Sequence, residues 1–244
     1  DYDYEEDYDE TDGSHHQKKK LVTVIITDFV EAVPLKHFFQ NQKLRYFRGI
    51  LRDVLESLQV VHSRKIIHRD ITSNNILITP DLKHSFLIDW GCGAVLEQHQ
   101  SLRPNAGSRQ FRSPEMLMGS GSYGTPSDMW GVGVYIWSIL CNNEVPWKEK
   151  TPQEVLLNIS EFFGSEEIIQ LSKKLRISLK RVFGPDFIDN LAAEPVRTFE
   201  ECFSQKMKRL FSKRLISLMK GLLRIDPEHR LTPAQALQHP FFQS

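Results

Sequence analysis

The chain opens with twenty residues almost devoid of aliphatic side chains, and hydrophobic patterning begins only after them. The run LVTVIITDFVEA, from residue 21, is β-branched throughout and closed by polar residues, which predicts a buried strand. Over residues 44–62 the apolar positions (Phe47, Ile50, Leu51, Val54, Leu55, Leu58, Val61) recur at helical spacing. They predict a long amphipathic helix with one core-facing stripe. Short strand-like runs follow at 76–78 and 86–88. Residues 128–140 are apolar almost all round, as expected of a helix in the middle of a domain, with Ser127 or Asp128 as its cap. Further helices are predicted at 152–162, 212–223 and 232–238, the last with Thr232 as N-cap and Pro233 at the first position. Residues 165–207 are mixed in pattern and read as an elaborated connection; no internal repeat is evident.

Composition narrows the class without naming it. The 244 residues suffice for one large domain or two small ones, and 40% hydrophobic with 25% charged residues is ordinary for a soluble globular protein. Lys+Arg and Asp+Glu both count 31, so no global charge argues for direct contact with nucleic acid or a membrane. No apolar run approaches the roughly 18 residues of a membrane span, and no signal peptide is recognisable. Residue 1 is Asp, which leads to the expectation that the chain begins inside a longer protein. The stretch DYDYEEDYDETDGSHHQKKK has repelling carboxylates and little to bury. It reads as a disordered insertion or linker, with a specific acidic docking tail as the alternative. Cys92, Cys141 and Cys202 lie far apart with no CxxC pair, which fits a reducing intracellular compartment and no ordinary structural zinc site.

The chemistry sits in three short motifs. His68-Arg69-Asp70 is followed by Asn75; Asp89-Trp90-Gly91 follows an apolar run; Ser113-Pro114-Glu115 precedes the apolar helix. Singly, each has an ordinary reading: an Asp at a turn, a structural histidine, an Asx turn, a solvated arginine. Together and in this order they resemble the HRD-x4-N, DFG and APE elements of the protein kinases. The resemblance runs over about residues 21–242. It implies an α+β, protein-kinase-like fold: mainly the helical C-lobe, with only a remnant of the β-rich N-lobe. Residues 1–20 would be the acidic tract, 21–30 a residual N-lobe strand and hinge, and 31–242 the C-lobe, with an elaborated segment at about 163–210.

By the same resemblance, Asp70 orients and deprotonates the attacking hydroxyl, and Asn75 and Asp89 bind Mg2+ beside the phosphates of ATP. Gly91 allows a sharp turn after the metal ligand. Arg69 fixes the activation segment, His68 is structural, and Ser108 stands at the substrate-facing end of that segment. Glu115 is expected to pair with Arg230 in the interior, a guanidinium–carboxylate fork. Thr27, Asp28 and Val30 would meet the adenine at the hinge, with Leu77 beneath the purine ring or simply in the core. Arg109 and Arg112 would favour acidic or phosphorylated substrates, or be solvated surface charges, and Ser101 is a candidate phosphorylation site by loop position alone.

Asp-Trp-Gly looks like casein kinase II, whereas AGSRQFRSPEML and GSEEIIQLSKKL look more like the cell-division-cycle-seven kinases. The resemblance implies transfer of the ATP γ-phosphate to Ser or Thr of a protein substrate. An activating subunit is compatible with it, and placement is nuclear or cytoplasmic, the nucleus favoured by the second subfamily. Two departures stand against it. Thr72 occupies the place of a lysine that steadies the γ-phosphate, and no GxGxxG or VAIK-like lysine precedes residue 30. They make this chain by itself a weak or inactive catalyst, and they keep open a rival reading as a pseudokinase or a kinase-fragment scaffold.

Overall fold

A computed structural model describes residues 28–32, 44–98, 101–141, 144–145, 147, 151–203 and 212–243. The strand predicted from residue 21, the acidic tract and Thr27 therefore lie outside the described residues. The chain divides into two compact units, Asp1–Val30 and Glu31–Ser244. Of the first, Asp28 and Phe29 are exposed and Val30 is half-buried.

The second unit is helix-rich, with two small two-stranded sheets. Helix α1 (Leu44–Ser63) carries the expected stripe: Phe47, Ile50, Leu51, Val54, Leu55 and Leu58 are buried, and Val61 half-buried. After it come β1 (Ile66–Ile67), β2 (Ile76–Ile78), β3 (Ser85–Leu87) and β4 (Ala94–Val95). Strands β2 and β3 form an antiparallel hairpin with Ile76 opposite Leu87, while β1 pairs with β4. Residue 88 ends outside β3, so the second hairpin strand sits one position earlier than the pattern suggested.

The short helix α2 (Pro114–Leu117) leads to α3 (Pro126–Leu140), in which every residue from Ser127 onward is buried. The polar patterning of its neighbours follows: α7 (Lys213–Leu222) lays Leu215, Leu218, Met219 and Leu222 into the core and packs on α3. Helix α4 (Pro152–Phe163) begins in a capping box in which Thr151 and Glu154 bond each other's backbone amides. Helix α8 (Pro233–Leu237) begins in the same way, with Thr232 and Gln235, and packs on α1.

One expectation is corrected. Neither Ser127 nor Asp128 caps α3: Thr125 holds the N-cap position without a side-chain bond, Pro126 is the first helical residue, and the Asp128 carboxylate is turned away to other partners. The connection expected to be elaborated over 165–207 carries helices of its own. It contains α5 (Ser165–Lys174) and α6 (Leu179–Phe183), the second capped by the Ser178 hydroxyl. Only Ile168, Leu171 and Leu179 of these helices anchor as buried apolar residues, which is too sparse a stripe for periodicity to reveal.

Candidate active site

The strand β1 runs straight into His68, and from there three groups hold the loop. The buried Asp128 carboxylate accepts the His68 amide at Oδ2 (2.9 Å) and the Arg69 amide at Oδ1 (2.7 Å). His62 Nε2 lies 2.8 Å from the same Oδ2. The His68 ring accepts the Asp70 amide at Nδ1 (3.2 Å), which leaves Nε2–H to donate to the Ile88 carbonyl at 2.9 Å. The edge of His68 meets Trp90, with ring centroids 4.5 Å apart. Arg69 has a left-handed backbone, φ 69°, costly for a residue with a Cβ and tolerated where neighbours over-determine it.

The Arg69 side chain does reach the segment that follows Asp89. Its Nε donates to the Cys92 carbonyl, Nη2 to the Gly93 carbonyl (3.2 Å) and Nη1 to the Tyr123 hydroxyl (3.1 Å). All of these partners are neutral oxygens, so the tie is one of hydrogen-bond geometry rather than of opposite charges.

The Asp70 carboxylate is pinned at both oxygens. Asn75 Nδ2 donates to Oδ2 and to the Asp70 carbonyl, each at 2.9 Å, and the Ser108 amide donates to Oδ1 at 2.8 Å. Asn75 closes a single 3-10 turn over Ser73–Asn75, so its amide nitrogen points back at Asp70, and among the described residues its side-chain carbonyl accepts no hydrogen bond. Thr72 is buried and makes no side-chain cap of that turn.

The hairpin register brings Asp89 to the same place. The Ile88 amide donates to the Asn75 carbonyl at 2.9 Å, which sets Asn75 and Asp89 at one end of the β2–β3 pair. Asp89 is also left-handed (φ 61°), and its Oδ1 accepts the Gly91 amide at 3.2 Å. A Cβ on Gly91 would sit 3.1 Å from that oxygen, so the bare glycine is what lets the turn close on the carboxylate. Leu77 is half-buried on β2, opposite the exposed Phe86.

The expected interior pair is present. Arg230 forks onto Glu115 with both bonds at 2.7 Å, and its other donors reach the carbonyls of Arg224, Pro126 and Ile225. It lies over the Trp130 ring at 5.2 Å. Trp147, buried in the same cluster, donates Nε1–H to the Gln110 carbonyl at 2.8 Å and so ties the end of the activation segment to the core.

His62, Gly107, Tyr123 and Trp147 also hold the site, and no motif names them. Gly107 alone left a signal, as a glycine directly before Ser108. Its φ is +68°, and a Cβ there would meet the Arg69 carbonyl oxygen at 2.1 Å, so the activation segment lies directly on the loop that carries Asp70. The other three belong to no spacing rule.

A carboxylate held by two donors, with an amide and a second carboxylate gathered at the adjoining hairpin end, is the equipment of a phosphotransferase. The protein kinase domain model matches residues 11–242, and the chain belongs to the protein kinase family. That family transfers phosphate from ATP to protein substrates, usually with a divalent cation. Among the described residues, no helix is long and apolar enough to cross a membrane.

Proposed function

We propose that this domain serves as the catalytic floor of a serine/threonine protein kinase, with Asp70 as its base. The observation that carries the reading is the double tether of Asp70 by Asn75 and the Ser108 amide. Held in this way, the carboxylate is fixed before substrate arrives, which removes reorganisation from the barrier.

In the reaction, a Ser or Thr hydroxyl of the substrate directs its proton at the Asp70 carboxylate. Its oxygen bonds to the γ-phosphorus of ATP as the bond from that phosphorus to the bridging oxygen breaks, and ADP leaves. The proton passes to Asp70. Magnesium, when bound, neutralises charge on the phosphate oxygens. The donor set suits it: the Asn75 side-chain carbonyl and the exposed Asp89 carboxylate are hard oxygens, few enough to leave coordination positions to phosphates and water. Thr72 brings no charge to the γ-phosphate, so neutralisation there would rest on the magnesium that Asn75 and Asp89 would hold.

For the nucleotide base the proposal keeps Leu77, which the resemblance puts beneath the purine ring. The subfamily resemblance adds an activating subunit and a nuclear setting to the proposal.

The test is magnesium-dependent transfer of labelled phosphate to casein by this domain within its full-length protein. Asp70→Asn and Asp89→Ala should each lower turnover by about 100-fold or more. Turnover that survives both substitutions would remove Asp70 and Asp89 from the chemistry. A wild-type protein that neither binds nucleotide nor transfers phosphate would support the scaffold reading.

A further inference from the structure

The sequence leaves Arg112 open as a substrate-facing or a solvated surface arginine, and the structure turns it onto its own loop. Its Nε donates to the carbonyls of Ala106 (3.0 Å) and Gly107 (3.1 Å), and its Nη2 to those of Asn105 (2.6 Å) and Gly107 (2.7 Å). Three successive carbonyls thus converge on one guanidinium. Between them and Arg112 the chain makes a 3-10 turn over Arg109–Phe111, in which the Phe111 amide bonds the Ser108 carbonyl at 2.9 Å. The result is a closed loop with a cation at its centre.

Two contacts leave that loop toward the catalytic residue. Gly107 presses its Cα against the Arg69 carbonyl, and the Ser108 amide donates to Asp70 Oδ1 at 2.8 Å. Carbonyls aligned on one point repel each other unless a donor sits there, and a planar fork can serve several at once. Without the guanidinium, the peptides of 105–107 would rotate outward to find water. The Ser108 amide is the next in the chain and would swing with them.

We propose that Arg112 is a positioning residue for phosphoryl transfer: anchored on the carbonyls of Asn105, Ala106 and Gly107, it sets the loop that delivers the Ser108 amide to Asp70. The inference rests on the kinase reading above. It also assigns Arg112 to the loop rather than to recognition of acidic substrate side chains. Burial lowers the Arg112 pKa from its ordinary value, and the charge of Arg109 lowers it further, yet the group stays a cation across the working pH range.

The experiment compares wild type, Arg112→Ala and Arg112→Lys in the full-length protein. Two serine peptides serve as substrates, one with Asp after the serine and one with Ala there. A loop strut predicts that Arg112→Ala lowers kcat by about 10- to 100-fold on both peptides alike, with Arg112→Lys intermediate. Hydrogen exchange of residues 104–111, read by mass spectrometry, should rise in Arg112→Ala while the rest of the domain keeps its protection.

A loss confined to the acidic peptide and expressed in KM, with exchange unchanged, would make Arg112 a substrate reader and overturn the proposal. Raised exchange with unchanged kcat would overturn it as well. Should wild type transfer phosphate to neither peptide, the kinase reading fails. The role in phosphoryl transfer falls with it, and unchanged exchange in Arg112→Ala would remove the loop anchor as well.

Discussion

Asp128, 59 residues beyond Arg69 in the chain, accepts the Arg69 amide at 2.7 Å while its second oxygen accepts the His68 amide at 2.9 Å. A single buried carboxylate at the head of α3 thus holds the backbone bend before Asp70, including a left-handed arginine that would not keep that conformation unaided. Replacing Asp128 by Asn puts an NH2 donor either where Oδ1 accepts the Arg69 amide or where Oδ2 accepts the His68 amide beside His62 Nε2. The expected cost is about 3 kcal/mol, seen as a fall of about 6–12 °C in the thermal midpoint. Turnover should fall as well, because Asp70 moves with Arg69. An Asp128→Asn protein that melts and turns over like wild type would show that the bend holds itself.

Glu115 and Arg230 form a pair with almost no exposure on either side chain, 0% for Arg230 and 2% for Glu115. Removing one partner leaves the other charged and buried, so Arg230→Ala or Glu115→Ala should each cost about 3–5 kcal/mol in urea denaturation. Removing both should cost less than the sum of the two single changes, since the double variant strands no charge. Strict additivity would mean that the two residues act independently.

Gly107→Ala meets two obstacles at once, a positive φ and a Cβ 2.1 Å from the Arg69 carbonyl oxygen. The conformation alone costs about 1–2 kcal/mol. Because the displaced atoms adjoin Asp70, turnover should drop by about 100-fold while the melting point falls only a few degrees. Equal losses in neighbouring-site variants such as Gly119→Ala, whose Cβ would meet nothing within 4 Å, would argue against this contact as the cause.

Burial pushes the Cys141 thiol up to about 12, with Cys202 adding to the shift. In the folded protein it remains a thiol where an exposed cysteine ionises, so iodoacetamide at about pH 9 should label it far more slowly in native than in denatured protein. The sign for stability follows. The folded pKa lies above the unfolded one, so the contribution is complete below the unfolded value near 9 and is lost as pH rises toward 12. Burial raises the Tyr135 phenol in the same direction. Melting temperature should therefore decline across alkaline pH, and Cys141→Ala should soften that decline. A flat alkaline profile would count against both groups.

The elements themselves were legible because their cause is local. The stripe from Phe47 to Leu58 and the all-apolar run of α3 state which faces must leave water, whatever packs on them. The short motifs named the side chains proposed for the chemistry, and the separation of Glu115 from Arg230 was bridged only by family resemblance. Three-dimensional packing decided the rest. Asp128 sits where a helix cap would, yet its partners lie on the loop after β1, and no periodicity encodes a bond across 59 positions. Arg112 carries the same charge as a substrate-binding arginine, and only the direction in which its loop closes turns it onto three backbone carbonyls. Sequence specifies which groups need partners; the fold selects among partners of equal chemistry by bringing one of them within reach.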